Sequence, residues 1–489
     1  MKLHHLLKDV DIVNITGNKY IDITNISYDS KQLKEGGLFF AIKGEKHNGA
    51  DFIDEAIERG AVSIVSEDDF ITFKSVSKVR IKDIRSSCAK IANNFYGYPS
   101  QKIDVTGITG TNGKTTILYL IEAILSTAGL SCGTIGTISY NVGERKIPAI
   151  NTTPSAIMLQ RLLNDMVNAN VANCIMEVSS HSLHQRRVEG IDMSNAIFTN
   201  LSAEHLDYHK DMEEYFKTKS MLFNMIKDDG YAIVNIDDEH GRRIVENIKS
   251  KVLTYALNRE ADLVAFDVSS SIKGSKFKIK TADEILDIKT PLIGEYNIYN
   301  ILAAIAFAVS KNIDKNLIIE AIKEFKGAPG RLQRVESEGR SFDLFVDYAH
   351  TDDALRNVLS ALRNIAKGKI FLVFGCGGER DKTKRPRMGR ISAELSDFSI
   401  ITNDNPRSED PKAIIDDIIK GIPDGFKDYK VLPDRKKAIE DSVSMAGEND
   451  IVLIAGKGHE KYQILKDTTI SFDDCRACEE ALAKKRIKK

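Results

Sequence analysis

The chain is poor in cysteine, in net charge and in long apolar runs. Six cysteines are scattered through 489 residues, too few and too dispersed for a disulfide framework, so they predict free thiols in a reducing compartment. Only Cys475 and Cys478 stand at the spacing of a metal-ligand pair. Without a second pair or neighbouring histidines, a structural role is favoured over a metal site. Formal net charge is -1, which removes the electrostatic ground for a nucleic-acid or anionic-membrane partner. No apolar stretch approaches the length of a bilayer span, and the segment from Met1 to Asp9 is too polar for a secretory signal. Repeats at solenoid periods and low-complexity tracts are absent. The expectation left standing is a soluble, globular, cytoplasmic protein, as 42% hydrophobic and 28% charged residues suit. The basic end, Lys484 to Lys489, reads as a solvated helix terminus, with a localisation signal as the weaker reading.

One core cannot organise a chain of this length, and about three domains is the natural division. Residues 1–100 mix short strands (37–42 and 61–65) with helical pieces (52–59 and 85–95) and close on Gly97-Tyr98-Pro99, a linker signal. Residues 101–330 carry strand-like runs at 174–178, 195–200 and 231–235, separated by helical patterns. After Gly327-Ala328-Pro329-Gly330, residues 331–489 repeat the alternation with strands at 342–347, 369–375, 398–402 and 450–455. The predicted class is α/β: a small first domain, a central ATPase-like domain with a mostly parallel sheet, and a Rossmann-like third domain.

The run from Gly107 to Thr116 is the most specific signal. It follows a β-like stretch (103–106) and opens an apolar helix-period segment that stops at Gly129. A glycine-rich turn there leaves backbone N–H groups to seat phosphate at the positive helix end. Lys114 adds a cation, and a Thr115 or Thr116 hydroxyl suits Mg²⁺. Counting back from Gly113-Lys114-Thr115, the common P-loop puts its first glycine at 108, where Ile108 stands; the glycines fall at 107 and 110 instead. A glycine turn without a ligand is the rival reading, and Gly-Lys-Thr-Thr after a strand weighs against it.

Polar clusters follow the other strands, where open α/β sheets bind ligands. Glu177 ends one strand, as a Mg²⁺ ligand or a helix cap. Glu204, His205, Asp207 and His209 crowd one loop, which suggests a metal or phosphate site. Asp347 closes a strand of the third zone and suits a ribose or phosphate. Gly375 to Lys382, Asp404-Asn405-Pro406-Arg407 and Gly456-Lys457-Gly458-His459-Glu460 are three further loops. Together they favour a polar ligand bearing carboxylates and an amine.

These residues resemble the Mur ligases, ATP-dependent amide-forming enzymes of peptidoglycan synthesis. The likeness runs nearly end to end. It is carried by Gly110 to Thr116, by Asn200-Leu201 through His205-Leu206-Asp207, by Gly294 to Asn300, and by Gly330-Arg331. The most similar member adds the third residue of the stem peptide, on the marks Asn151-Thr152-Thr153-Pro154, Glu177 to His181, His350, and Asp404 to Arg407. The resemblance implies ATP contacts at Gly110, Thr111, Asn112, Gly113, Lys114, Thr115, Thr116, Asn297, Asn300, Arg331 and Asp347. It implies uridine contacts at Tyr28, Ser30 and the loop Glu45-Lys46-His47. Asn151, Thr152, Thr153, Ser179, Gln185 and Arg187 match contacts to the UDP-MurNAc-dipeptide, UDP-MurNAc-L-Ala-D-Glu. Arg380, Asp404, Asn405, Pro406, Arg407, Gly456 and Glu460 match a meso-diaminopimelate site. Lys219 matches a carbamylated lysine, N6-carboxylysine. Thr115, Glu177, His205 and Lys219 become the expected Mg²⁺ ligands, and Lys114, Glu177, His205, Lys219 and Arg331 the catalytic set. Asp-Asn-Pro-Arg accompanies diaminopimelate in this subfamily; the alternatives are L-lysine as acceptor or a folylpolyglutamate synthetase-like ligase. A monomer acting on small molecules, without nucleic acid or membrane, is expected.

Overall fold

The computed structural model describes residues 1–44, 47–72, 74–336 and 341–487. Glu45 and Lys46, in the expected uridine loop, lie outside the described residues. Three α/β units follow one another, each built on its own sheet. In the first, strands Asn25–Ser27, Gly37–Phe40, Ala61–Ser66 and Ser77–Ile81 are parallel, and Ile12–Thr16 adds antiparallel at the Ser77–Ile81 edge. The strand expected at 37–42 stops at Phe40, because the chain turns there and Ile42 N–H returns to the Phe40 carbonyl. Helix Ile84–Phe95 begins at Asp83, whose carboxylate accepts from the Arg85 and Ser86 N–H groups.

The central sheet has eleven strands. Its middle is parallel: Leu263–Ser271, Lys251–Ala256, Ile226–Asn235, Met193–Phe198, Asp104–Thr109, Asn173–Glu177 and Cys132–Ile135, in that spatial order. Those strands are apolar on both faces because helices cover both. Ile108, Ile175 and Ile197 pack with helices Lys114–Thr127 and Glu295–Ser310. Val105, Cys174, Met176 and Phe198, one step out of phase, pack with helix Ala156–Asn168 on the other side. Antiparallel ribbons close both edges: Gly274–Lys280 with Ile285–Thr290, and Ser139–Val142 with Arg145–Pro148.

The third sheet runs Gln333–Arg334, Asp343–Asp347, Ile451–Ala455, Ile370–Phe374, Phe398–Ile401, Tyr429–Val431, with only the first pair antiparallel. Leu355, Leu359, Met388 and Ile414 cover one face, and Ala438, Ile439, Cys478 and Leu482 the other. Cys478 is therefore a core residue of helix Asp474–Ile487, and both it and Cys475 are free thiols. No helix among the described residues is long and apolar enough to cross a membrane.

Candidate active site

The carboxyl ends of the central and third sheets open on one cavity of about 610 Å³. Its floor is the turn after strand Asp104–Thr109. Gly110 has φ +140°, and a Cβ there would stand 1.9 Å from Thr199 Oγ1, so only glycine lets the turn lie against the neighbouring strand end. Asn112 fixes the turn from the same side: its N–H donates to Asn200 Oδ1 at 3.0 Å, and its carbonyl accepts from Thr199 Oγ1 at 2.6 Å. Helix Lys114–Thr127 starts at once behind Gly113, so its unpaired N–H groups face the cavity end. Lys114 Nζ donates to the Gly110 and Thr111 carbonyls at 2.7 and 2.8 Å. Burial lowers its pKa, against the pull of Glu204 and Glu177.

Glu177 is 1% exposed and ends its strand against the new helix. Its carboxylate accepts from Thr115 Oγ1 at 3.0 and 3.1 Å, and from the N–H and hydroxyl of Thr137 at 2.9 and 3.0 Å. Thr116 lies in the first turn beside Thr115 and also lines the cavity. Lys219, on helix Met212–Ser220, is 2% exposed and donates to the Gly110 carbonyl at 2.8 Å. Burial, then the Lys114 charge, pushes its pKa well below the ordinary lysine value. It sits behind the turn and does not line the cavity. His205 does, in a left-handed turn at φ +58°. Desolvation lowers its pKa although adjacent Glu204 raises it. Burial pushes Glu204 up, but His205 and Lys114 outweigh it and hold the carboxyl below the usual range.

The third sheet contributes the opposite wall. Asp347 accepts from the Leu332 and Ala349 N–H groups at 2.5 and 2.7 Å, and burial raises its pKa against the charge of Arg331. Arg331 spans both units: Nη2 lies 3.3 Å from Thr115 Oγ1, and the guanidinium stacks 4.5 Å from the Tyr348 ring centre. Its Nε is buried without a partner among the described residues. Asn297 and Asn300 line the cavity from helix Glu295–Ser310, joined to each other at 3.1 Å.

The other expected residues fall into two groups flanking this cavity. On one side Thr152 lines it, its hydroxyl 3.1 Å from that of Thr137. Thr153 Oγ1 donates to the Glu177 carbonyl at 2.8 Å and accepts from Ser179 N–H at 3.1 Å. Arg187 donates to the Thr153 carbonyl and to Gln185 Oε1, at 2.9 and 2.6 Å. Asn151 holds Tyr140 through its backbone and exposes its side chain. Tyr28 is near enough to Arg187 to influence its charge and is itself exposed. Ser30 stands apart, buried with its hydroxyl on Glu55 at 3.0 Å.

On the other side, Asn405, Arg407, Gly456 and Glu460 gather with Asp404, Pro406 and Arg380. A Cβ on Gly456 would stand 2.7 Å from Asp404 Oδ2, and one on Gly378 2.0 Å from the Pro406 carbonyl. Arg407 donates to the Gly378 carbonyl at 2.6 Å, and its guanidinium and the Arg380 stem both border the Cβ side of Gly377. These residues do not line the cavity. They meet it through Tyr348, which stacks on Arg331 and, 4.9 Å away, on His459.

Two participants escaped sequence reasoning. Thr137 gives Glu177 two donors, and nothing local in Gly136-Thr137 announces it. Asp353, in the first turn of helix Asp352–Arg363, accepts from Asn112 Nδ2 at 2.9 Å and Ser202 Oγ at 3.1 Å. It ties the third unit to the turn at 110–113 across a sequence distance of 241 residues.

The chain matches three domain families in order: the Mur ligase family catalytic domain over residues 22–96, the Mur ligase middle domain over 108–308, and the Mur ligase glutamate ligase domain over 330–458. Proteins of Clostridium tetani and Clostridioides difficile, both called UDP-N-acetylmuramoyl-L-alanyl-D-glutamate--2,6-diaminopimelate ligase, are each 44% identical to it. The matches cover 99% of this chain and 99% and 100% of those proteins. A solved structure of a ligase of that name is 31% identical, covers 99% of both chains and superposes with a TM-score of 0.72. On its sequence, its three main sheets and the phosphate-type turn of the central one, the chain belongs to the Mur ligase family.

Proposed function

We propose that the chain uses ATP to join meso-diaminopimelate to the D-glutamyl carboxylate of UDP-MurNAc-L-Ala-D-Glu, adding the third residue of the peptidoglycan stem. One observation carries the reading: Arg331 reaches Thr115 behind the glycine turn and stacks on Tyr348, Tyr348 stacks on His459, and the loop of His459 is joined to Asp404–Arg407 through Glu460 and Asn405, so a phosphate donor and an amine acceptor can meet there. The names of the Clostridium tetani and Clostridioides difficile relatives support the same substrates.

In this reading residues 1–100 hold the uridine nucleotide with the exposed Tyr28, and with Ser30 once its hydroxyl leaves Glu55. Residues 101–330 hold ATP, and 331–489 the acceptor. Asn151, Thr152, Thr153, Ser179, Gln185 and Arg187 carry the muramoyl-dipeptide toward Glu177. The glutamyl carboxylate attacks the γ-phosphorus, the bond to the ADP oxygen breaks, and an acyl phosphate forms. The acceptor amine then attacks the acyl carbon, loses a proton, and expels inorganic phosphate. Two anions meet in the first step, so neutralisation carries most of the rate. Lys114 leaves its two carbonyls for the terminal phosphates, and Arg331 meets them from the third unit. Asn297 and Asn300 face the adenine, and Asp347 the ribose.

The side chains fit Mg²⁺. The Thr115 hydroxyl against both Glu177 oxygens is an oxygen pair of the kind that Mg²⁺ takes beside substrate phosphates. No cage of three His, Cys, Asp or Glu side chains is present among the described residues, and Mg²⁺ bound to phosphates needs none. His205, on the cavity wall, would be a further ligand, and Lys219, once carbamylated, would offer a carboxylate-like group to a second Mg²⁺. When bound, the ion neutralises charge on the β- and γ-phosphates.

Mass spectrometry of the product formed from UDP-MurNAc-L-Ala-D-Glu, ATP and an equal mixture of diaminopimelate and lysine tests the reading. The diaminopimelate adduct should dominate. A lysine adduct, or phosphate release that does not depend on the UDP-dipeptide, contradicts it. A second expectation concerns Gly110. With a Cβ 1.9 Å from Thr199 Oγ1 at φ +140°, Gly110→Ala must displace the turn, and strain of this kind costs about 1–3 kcal/mol. ATP affinity by calorimetry should fall about 5- to 150-fold, and unchanged affinity rules out this turn as the phosphate seat.

A further inference from the structure

The loop after strand Ile451–Ala455 turns left-handed twice, with φ +117° at Gly456 and +53° at Gly458. Neither place admits a side chain, since a Cβ would stand 2.7 Å from Asp404 Oδ2 at the first and 2.6 Å from the Gly330 carbonyl at the second. The two turns fold the residue between them inward, and Lys457 is 0% exposed. A lysine is almost never buried so fully unless paired. Its ammonium donates to Glu460 Oε2 at 2.9 Å and to Asn405 Oδ1 at 3.0 Å. Asn405 Nδ2 donates to the same Glu460 oxygen at 2.9 Å, and Ile464 N–H to Asn405 Oδ1 at 3.0 Å. The Tyr462 ring centre lies 5.6 Å from the ammonium, within cation–π range.

Every donor in this triangle reaches the same Glu460 oxygen. Oε2 takes two hydrogen bonds, while Oε1 has no hydrogen-bond partner among the described residues. The Asn405 amide is likewise fixed one way round, since its oxygen faces a cation and an N–H and its nitrogen faces a carboxylate.

We propose that Lys457 is a positioning residue for the acceptor amino acid: it pins Glu460 through one oxygen and holds the other ready for an ammonium group of the incoming diamino acid. The inference rests on the acceptor site proposed above and deepens it. Lys457 acts only through Glu460 and Asn405. Its loss lets the Glu460 carboxylate rotate and the Asn405 amide flip, and the acceptor then pays in binding while the phosphate chemistry at the glycine turn proceeds.

The test separates the half-reactions. Dipeptide-dependent exchange of labelled ADP into ATP, run without acceptor, reads acyl-phosphate formation. Phosphate release against diaminopimelate concentration reads the acceptor KM. Lys457→Met should raise that KM about 10- to 100-fold, the loss expected for charged hydrogen bonds, and leave exchange within about twofold. The double variant with Glu460→Gln should have a KM well below the product of the two single effects, because the two residues share one hydrogen-bonded unit. If Lys457→Met does not fold, Lys457→Arg carries the test. It keeps the charge but cannot place its donors in the same closed space, and should show the same KM-only defect. Exchange that falls in step with ligation, KM effects that multiply in the double variant, or a wild-type KM in the folded Met or Arg variant overturns the proposal. Wild-type enzyme that exchanges ADP but gives no diaminopimelate-dependent phosphate release instead overturns the acceptor assignment itself.

Discussion

Lys219→Ala lowers ligation by about 10²- to 10³-fold, the loss typical of removing one preorganised charge-stabilising group, and a small carboxylic acid restores part of it. The reason lies in what the amine can do before ATP arrives. Carbamate formation joins the lysine nitrogen to CO₂ carbon and releases a proton, so it needs the free base. An exposed lysine titrates near 10.4 and is almost wholly protonated at neutral pH. Lys219 is 2% exposed. Burial, with Lys114 close by, holds its pKa well below that range. The sign follows: a lowered pKa puts the free base at lower pH, so carbamylation of Lys219 extends toward neutrality where surface lysines stay charged. In ¹³C-bicarbonate, one protein carbamate signal should appear near neutral pH and vanish in Lys219→Ala. The modified side chain exchanges a cation for a carboxylate-like group beside the Gly110 carbonyl, which the lysine now meets at 2.8 Å. A free carboxylate diffusing into the space left by alanine can replace that group, though not its tether, so rescue stays partial. Near-normal turnover of the alanine variant, or no carbamate signal in the wild type, defeats the role.

Much of this site was legible in the sequence because it is written locally. Gly110 to Thr116 lies between a strand and a helix, and that order alone implies a phosphate seat. The parallel strands announce themselves as apolar runs because helices cover both faces of the sheet. The edge ribbons do not. Ile285–Thr290 alternates exposed and buried residues along its length, and in a chain dense in short apolar runs such alternation is a weak signal. Sequence also carries no distances across the fold. Arg331 meets Thr115 over a separation of 216 residues, and Asp353 holds Asn112 from the third unit. Neither follows from spacing, since both depend on how two sheets pack. Ser30 is the opposite case. Its position matched a uridine contact, yet its hydroxyl is committed to Glu55 inside the first unit. In the sequence Lys457 is only part of a glycine-rich loop, because its burial depends on two left-handed turns that the letters Gly-Lys-Gly permit but do not require.

The largest effect on substrate choice is expected at Arg407. Diaminopimelate differs from lysine by one carboxylate at the far end, so discrimination has to come from a group that is satisfied by that carboxylate and orphaned without it. Arg407 is held for such a task. Its backbone sits at φ +54°, a left-handed turn uncommon outside glycine. It is clamped there by its N–H on the Ile464 carbonyl at 3.2 Å and by Lys466 N–H on its own carbonyl at 2.8 Å. The guanidinium lies over Gly377 and spends one donor on the Gly378 carbonyl at 2.6 Å. A guanidinium has five donors in a fixed fork, so a two-point grip on a carboxylate remains open. With lysine bound, those donors are cut off from water and left unpaired, at about 1.5–3 kcal/mol for hydrogen bonds to a charged group. At 1.36 kcal/mol per decade, kcat/KM for lysine should be about 10- to 150-fold below that for diaminopimelate, read from phosphate release with each amino acid alone. Arg407→Ala should lower kcat/KM for diaminopimelate by a similar factor and change that for lysine little, which collapses the preference. Arg407→Lys should recover only part of it, since a point charge cannot make the two-point grip. Equal kcat/KM for the two amino acids in the wild type, or a preference that survives Arg407→Ala, moves the source of selectivity elsewhere. Arg380, whose stem borders the same side of Gly377 as the Arg407 guanidinium, would be the next residue to change.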